Sequence, residues 1–297
     1  MSDAATTYTC RWCGQAGDGR GRGCTHCGAP IDVRAVTTRS GWTELPAIAD
    51  MARLQFGQSH CQIEGLYVPV ADMNLAPSDG VYFSHHMLLW MDTAIRLEKM
   101  PMKGAWNRVM AGLPVVMLTA SGPGHIAFSR DLPGEMVALP LRPGQAIDVA
   151  EHHFVVATNQ IAYDYFATNI YYVTGSGDDR ETHYPVGRYV DRFWAAGDQP
   201  GLLLLHAGGN AFVRTLAEGE AILVQAEALL YKDPAVQMHL HVEHPRSPQG
   251  GWLSRSMRHL WLRLWGPGRV AIQSSYHSGE DPGWSMNSLS QHTEHRW

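Results

Sequence analysis

One stretch of this chain occurs twice. Sliding the sequence by about 75 residues lays residues 131–161, DLPGEMVALPLRPGQAIDVAEHHFVVATNQI, on residues 206–236, HAGGNAFVRTLAEGEAILVQAEALLYKDPAV, without a gap. Gly134 falls on Gly209, Leu141 on Leu216, Gly144 on Gly219, Ala146-Ile147 on Ala221-Ile222, Val149 on Val224 and Phe154-Val155 on Leu229-Leu230. A fainter third copy precedes them, with Leu75 on Leu141, Val81 on Ile147, Phe83 on Val149 and Leu88-Leu89 on Phe154-Val155. Each copy reads as a strand, a glycine turn, a second strand, a spacer and a third strand. One such unit presents an apolar face that it cannot bury alone, so two or three must pack together. The repeat therefore predicts a β architecture built by stacking one motif on itself.

The rest of the sequence agrees with that class. Residues 147–149, 212–216 and 238–242 alternate or nearly alternate in polarity, as half-buried strands do, whereas 154–157 and 202–205 are continuously apolar, as strands covered on both faces are. Thirty glycines and seventeen prolines supply many turns. The only window with a helical pattern is 103–111. No apolar run approaches the roughly 20 residues needed to cross a bilayer. No export signal is legible at the start, so the chain reads as cytoplasmic. The formal net charge of −5 argues against a generic electrostatic grip on nucleic acid.

The first thirty residues are of another kind. Cys10-Arg-Trp-Cys13 and Cys24-Thr-His-Cys27 are two C-x-x-C knuckles. That spacing lets each pair of thiolates turn towards one point, and four thiolates close a tetrahedral shell with no open position. Cys10, Cys13, Cys24 and Cys27 are therefore expected to hold one structural zinc ion. Arg11, Arg20 and Arg22 lie close enough in sequence to offset the net negative charge of the site. The loop between the knuckles has too few apolar residues to fold without the metal. The expected organisation is a zinc ribbon over 8–30, a linker over 31–46, the β-repeat domain over 47–277 and a disordered tail over 278–297.

Other groups invite chemistry. His239 and His241 share one face of a strand, with Glu243 beyond, and could serve a cupin-like metal enzyme; a third ligand at a recognisable distance is missing. His85-His86 and His152-His153 stand at matching places in two repeats, ahead of a buried strand. Cys61 reads as a small core residue. Across 252–269, Trp252, Trp261 and Trp265 interleave with Arg255, Arg258, Arg263 and Arg269, while Leu260, Leu262 and Leu264 alternate with them. One face of that strand is then core-bound. The other could meet RNA, another ligand, a lipid headgroup layer or a protein. The two Gly-Pro-Gly runs, at 122–124 and 266–268, fit turns entering strands, not a phosphate cradle.

The runs GPGHIAFSRDLPGEMVALPL, LRPGQAIDV, LAEGEAILV and GPGRVAIQS resemble the altered-inheritance-of-mitochondria family, over about residues 54–275. The fold of that family is similar to that of the tryptophan RNA-binding attenuation protein (TRAP). The resemblance implies an all-β, TRAP-like β-sandwich, a double-stranded β-helix built from repeats, and assembly into homo-oligomers. It brings no catalytic motif, and the zinc ribbon stands outside it. The function expected from all of this is a non-catalytic oligomeric scaffold with no catalytic residue. The zinc ribbon serves it as adaptor for a protein partner, and peripheral membrane contact stays open.

Overall fold

The structure, a computed structural model, describes residues 7–9, 16–18, 25, 41–45, 53–100, 117–175, 177–243 and 259–276. Near the start, β1 (Thr7–Thr9) and β2 (Ala16–Asp18) form an antiparallel pair. β3 (Thr43–Glu44), β4 (Arg53–Phe56) and β5 (Ser59–Glu64) then lead into three copies of one six-stranded unit. The first unit holds β6 (Val70–Leu75), β7 (Gly80–Ser84), β8 (Leu88–Met91), β9 (Arg96–Lys99), β10 (Met117–Ser121) and β11 (Gly124–Phe128). The second begins with β12 (Gly134–Leu141), β13 (Ala146–Ala150), β14 (Phe154–Thr158) and β15 (Ile161–Ala167). A small hairpin of β16 (Tyr172–Thr174) and β17 (Glu181–His183) interrupts it before β18 (Tyr189–Ala195) and β19 (Gly201–Gly208). The third holds β20 (Ala211–Leu216), β21 (Ala221–Val224), β22 (Leu229–Lys232), β23 (Gln237–Glu243), β24 (His259–Trp265) and β25 (Gly268–Gln273). Among the described residues, helix is confined to three single turns, His85–Met87, Gly177–Asp179 and Ala226–Ala228.

The three units share one pairing scheme. In each, the sixth strand lies between the first and the third, as β6-β11-β8, β12-β19-β14 and β20-β25-β22. The fifth lies between the second and the fourth, as β7-β10-β9, β13-β18-β15 and β21-β24-β23. The repeat read from the sequence is thus a repeat in space, and it occurs three times. Its likeness extends to single hydrogen bonds. The turn between first and second strands is closed by Asp79 N to Ala76 O (3.0 Å), Gln145 N to Arg142 O (2.9 Å) and Glu220 N to Ala217 O (3.1 Å). Gly144 and Gly219 follow in that turn with φ of 81° and 76°, a left-handed conformation that a Cβ disfavours. The third strand carries a bulge in every copy: the register skips Leu89, Val155 and Leu230 in turn.

Each unit also lends strands to the next. β14 pairs with β7, so half of unit one and half of unit two make a six-stranded sheet, β12-β19-β14-β7-β10-β9. β22 pairs with β13 in the same way, giving the seven-stranded sheet β15-β18-β13-β22-β25-β20-β3. Three hydrophobic clusters fill the spaces between the four successive sheets, one for each unit. Because a seam sheet faces a different cluster on each side, its central strands are covered twice. That is why 154–157 and 202–205 lack polar alternation: β14 is buried along its whole length, and in β19 all but Gly208 are buried.

Candidate functional site

The four ribbon cysteines, Cys10, Cys13, Cys24 and Cys27, lie outside the described residues, as do the 103–111 window and the tail expected to be disordered. β1 ends one residue before Cys10, and β2 lies between the two knuckles. Thr43 and Glu44, at the end of the linker, join the seven-stranded sheet through β20.

His239 and His241 sit on β23, opposite Arg263 and Trp261 of β24. The His239 ring packs edge-on against Trp265, with centroids 4.7 Å apart. Among the described residues no group of three or more His, Cys, Asp or Glu side chains is placed to hold a metal ion. Cys61 is fully buried in the first cluster, and burial pushes its thiol up to about 12, far from the thiolate form a nucleophile requires. Of the Trp/Arg segment, Trp252, Arg255 and Arg258 lie outside the described residues and Arg269 stands on β25; the remainder, β24, divides as its alternation predicts. Leu262 and Leu264 are buried in the third cluster, while Trp261, Arg263 and Trp265 lie on the opposite face. There Trp261 Nε1 donates to Glu243 (2.8 Å), and the Trp261 ring packs at a tilt of 50° against His259, with centroids 4.2 Å apart.

The paired histidines lead into the seam between units one and two. His153 Nδ1 donates to the carbonyl of His206 (2.9 Å), and His206 N donates to the carbonyl of His153 (2.8 Å). Burial, with added repulsion from Arg130, His206 and His152, pushes the His153 imidazole down to about 4. Next to it lies a cavity of ≈ 30 Å³ lined by Ser84, His86, Glu151, His152, Tyr163 and Asp191 among others, room for about one water. Its acidic groups are engaged: Tyr189 N donates to Glu151 (2.7 Å), and Tyr163 Oη donates to Asp191 (2.7 Å).

Two features of the seams escape sequence reasoning. The first is an ion triad. Asp148 of β13 is buried, accepts two hydrogen bonds from Arg192 (2.6 and 2.9 Å), and accepts one from Lys232 of β22 (2.9 Å) across the seam. The signal was an Asp and a Lys inside otherwise apolar strands, but their partnership depends on the register between units. The second is a pair of open edges. Among the described residues, β8 pairs only with β11, and β21 only with β24. Both expose large apolar side chains: Leu89, Trp90 and Met91 on β8, and Leu223 on β21. Beside β21 runs a groove of ≈ 520 Å³ lined by Ile222, Val224, Phe212, Ile272, Trp261 and Trp42 among others. A separate apolar point, Leu66, Tyr67 and Val68, projects from the tip between β5 and β6.

Fold and surface together define an all-β protein made of three interlocked double-stranded β-helix units. The family profile described as Mitochondrial biogenesis AIM24 matches residues 61–275, and the chain belongs to that family. Its structure is similar to the crystal structure of protein SPYM3_0169 from Streptococcus pyogenes, with a TM-score of 0.53 and 16% identity, over 74% of this chain and 94% of that one. No curated protein sequence matches the chain. Among the described residues, no helix is long and apolar enough to cross a membrane.

Proposed function

We propose that this protein is a non-catalytic, self-associating β scaffold of the cytoplasm, and that its N-terminal zinc ribbon is the adaptor that attaches a protein partner. One observation carries the reading. The same strand-to-strand joint links units one and two and units two and three, while among the described residues the strands that would make a further joint remain open. Three carboxylates described inside the seams, Asp148, Glu151 and Asp191, are spent on holding backbone and side chains. The ribbon rests on the spacing of Cys10, Cys13, Cys24 and Cys27. Leu66 and Tyr67 at the β5–β6 tip give the scaffold an exposed apolar point for peripheral contact with a membrane surface.

Elemental analysis and sedimentation of the full chain test this. The expected result is one zinc per chain and a mass above that of a single chain. A Cys10→Ser, Cys13→Ser variant should lose the zinc, keep the assembled mass, and no longer recover the proteins that co-purify with the intact chain. An additional iron or manganese, lost on His239→Ala, would overturn the non-catalytic reading in favour of a metal enzyme.

A further inference from the structure

We propose that β8 of one copy pairs with β21 of a second copy, making between chains the joint that β14 makes with β7 and β22 with β13 within one chain. This names the contact surface of the self-association put forward above and rests on it.

The third strands of the units are β8, β14 and β22, and the second strands are β7, β13 and β21. Among the described residues, two of the three possible third-to-second joints are made inside the chain, which leaves one third strand, β8, and one second strand, β21. The side chains on these two strands are apolar where their counterparts are buried. Val155 and Leu230, the bulged residues of β14 and β22, are each 0% exposed; Leu89, in the same place on β8, is 55% exposed. Trp90, at 44%, corresponds to Val156 and Tyr231, at 0% and 2%. Leu223, at 41%, corresponds to Tyr82 and Asp148, at 3% and 2%. An exposed apolar edge strand of this kind invites another strand.

A receiving slot exists as well. Val155 belongs to unit two but sits in the core of unit one, and Leu230 belongs to unit three but sits in the core of unit two. Each unit therefore receives the bulge residue of the following unit. Among the described residues no unit follows unit three, and along that side of its core lies the ≈ 520 Å³ groove, bounded by Ile222 and Val224 of β21. Leu89 and Trp90 of a second copy supply what that groove lacks.

The internal joints also fix the register. Val156 lies opposite Phe83 and Tyr231 opposite Val149, so Trp90 falls opposite Val224. Ala157 lies opposite Tyr82 and Lys232 opposite Asp148, so Met91 falls opposite Leu223. Both new pairs are apolar against apolar and in phase with the pleat; a slip of one residue would turn every side chain to the wrong face. The joint uses different surfaces on the two copies, so it is head-to-tail. Such an assembly becomes a ring where the rotation closes and a filament where it does not.

Complementary variants of the full chain provide the test. Leu89→Lys spoils β8 and leaves β21 intact; Leu223→Lys does the reverse. Each alone should reduce the sedimenting mass to that of one chain, 32.9 kDa, without loss of the melting transition. Mixed in equal amounts they should restore a single joint and give a dimer with nothing larger. Separately, a mixture of Met91→Cys and Leu223→Cys chains should form an interchain disulfide under mild oxidation that neither chain forms alone. A wild-type chain that is monomeric at micromolar concentration overturns both this joint and the scaffold reading. An oligomer unmoved by either lysine overturns the joint alone, and so does one moved only by Leu89→Lys, which indicates a symmetric β8 pairing. A disulfide that closes within one Met91→Cys, Leu223→Cys double variant shows the units meeting inside a single chain, and also overturns it.

Discussion

Tyr82 and Asp148 hold the same place in consecutive units, each on the second strand at a seam. Across the first seam Tyr82 meets Ala157, an apolar contact; across the second, Asp148 meets Lys232, an ion pair reinforced by Arg192. The backbone register of the two joints is the same, and so is the bulge beside each. The comparison teaches that pleat and bulge position the strands, while the side chains that meet there are free to differ. It also shows how a repeat protein keeps its units in order. An apolar strand placed against Lys232 would leave its buried ammonium unpaired, and one placed against Asp148 would leave that carboxylate with Arg192 alone, both costlier than a poor apolar fit.

The largest expected effect breaks the polar seam. Asp148→Ala leaves the Lys232 ammonium buried without its carboxylate, and urea denaturation should show a loss of about 3–5 kcal/mol. An Asp148→Leu, Lys232→Met pair should recover most of that loss, because the apolar joint at the first seam shows the backbone needs no charge there. Acid separates the two seams next. His153 stands at the entry to β14, where the third unit has Ala228 at the entry to β22. Burial holds the imidazole near a pKa of about 4, so below its ordinary value of about 6.5 the unfolded chain binds a proton that the folded chain refuses. Stability contributed by this group is whole above about pH 6.5, declines below it and levels off near pH 4, a total loss of about 3 kcal/mol. Between pH 7 and pH 4.5, hydrogen-exchange protection corrected for the intrinsic rate at each pH should therefore fall in β14 before β22, and His153→Gln should flatten the difference. The smallest effect sharpens the apolar seam. The Tyr82 hydroxyl is buried with no hydrogen-bond partner among the described residues, so Tyr82→Phe should raise stability by up to about 1 kcal/mol.

Much of the fold could be read without coordinates because the repeat is written in local chemistry. Gly144 and Gly219 mark a turn that demands a left-handed residue, and the apolar runs 154–157 and 202–205 announce strands covered on both faces. The alternation across Leu260 to Trp265 gave the correct inward face of β24. The proposed metal ribbon rests on a signal of the same local kind: two thiols three positions apart can turn towards one ion. The site formed by the open edges was not legible in this way. Leu88-Leu89 and Phe154-Val155 align as equals in sequence, yet Val155 is enclosed and Leu89 stands in solvent.

What the sequence by itself determined was the unit: its strands, its turns and the face each strand turns inward, all set by residues a few positions apart. What only the tertiary structure decided was which unit lends its third strand to which, that Asp148 and Lys232 meet 84 positions apart, that a bulge marks each third strand, and that β8 and β21 are left over among the described residues. The physical reason is that a strand edge carries the same N–H and C=O groups whatever its sequence. Which edge finds a partner is settled by the order in which equivalent units close on one another.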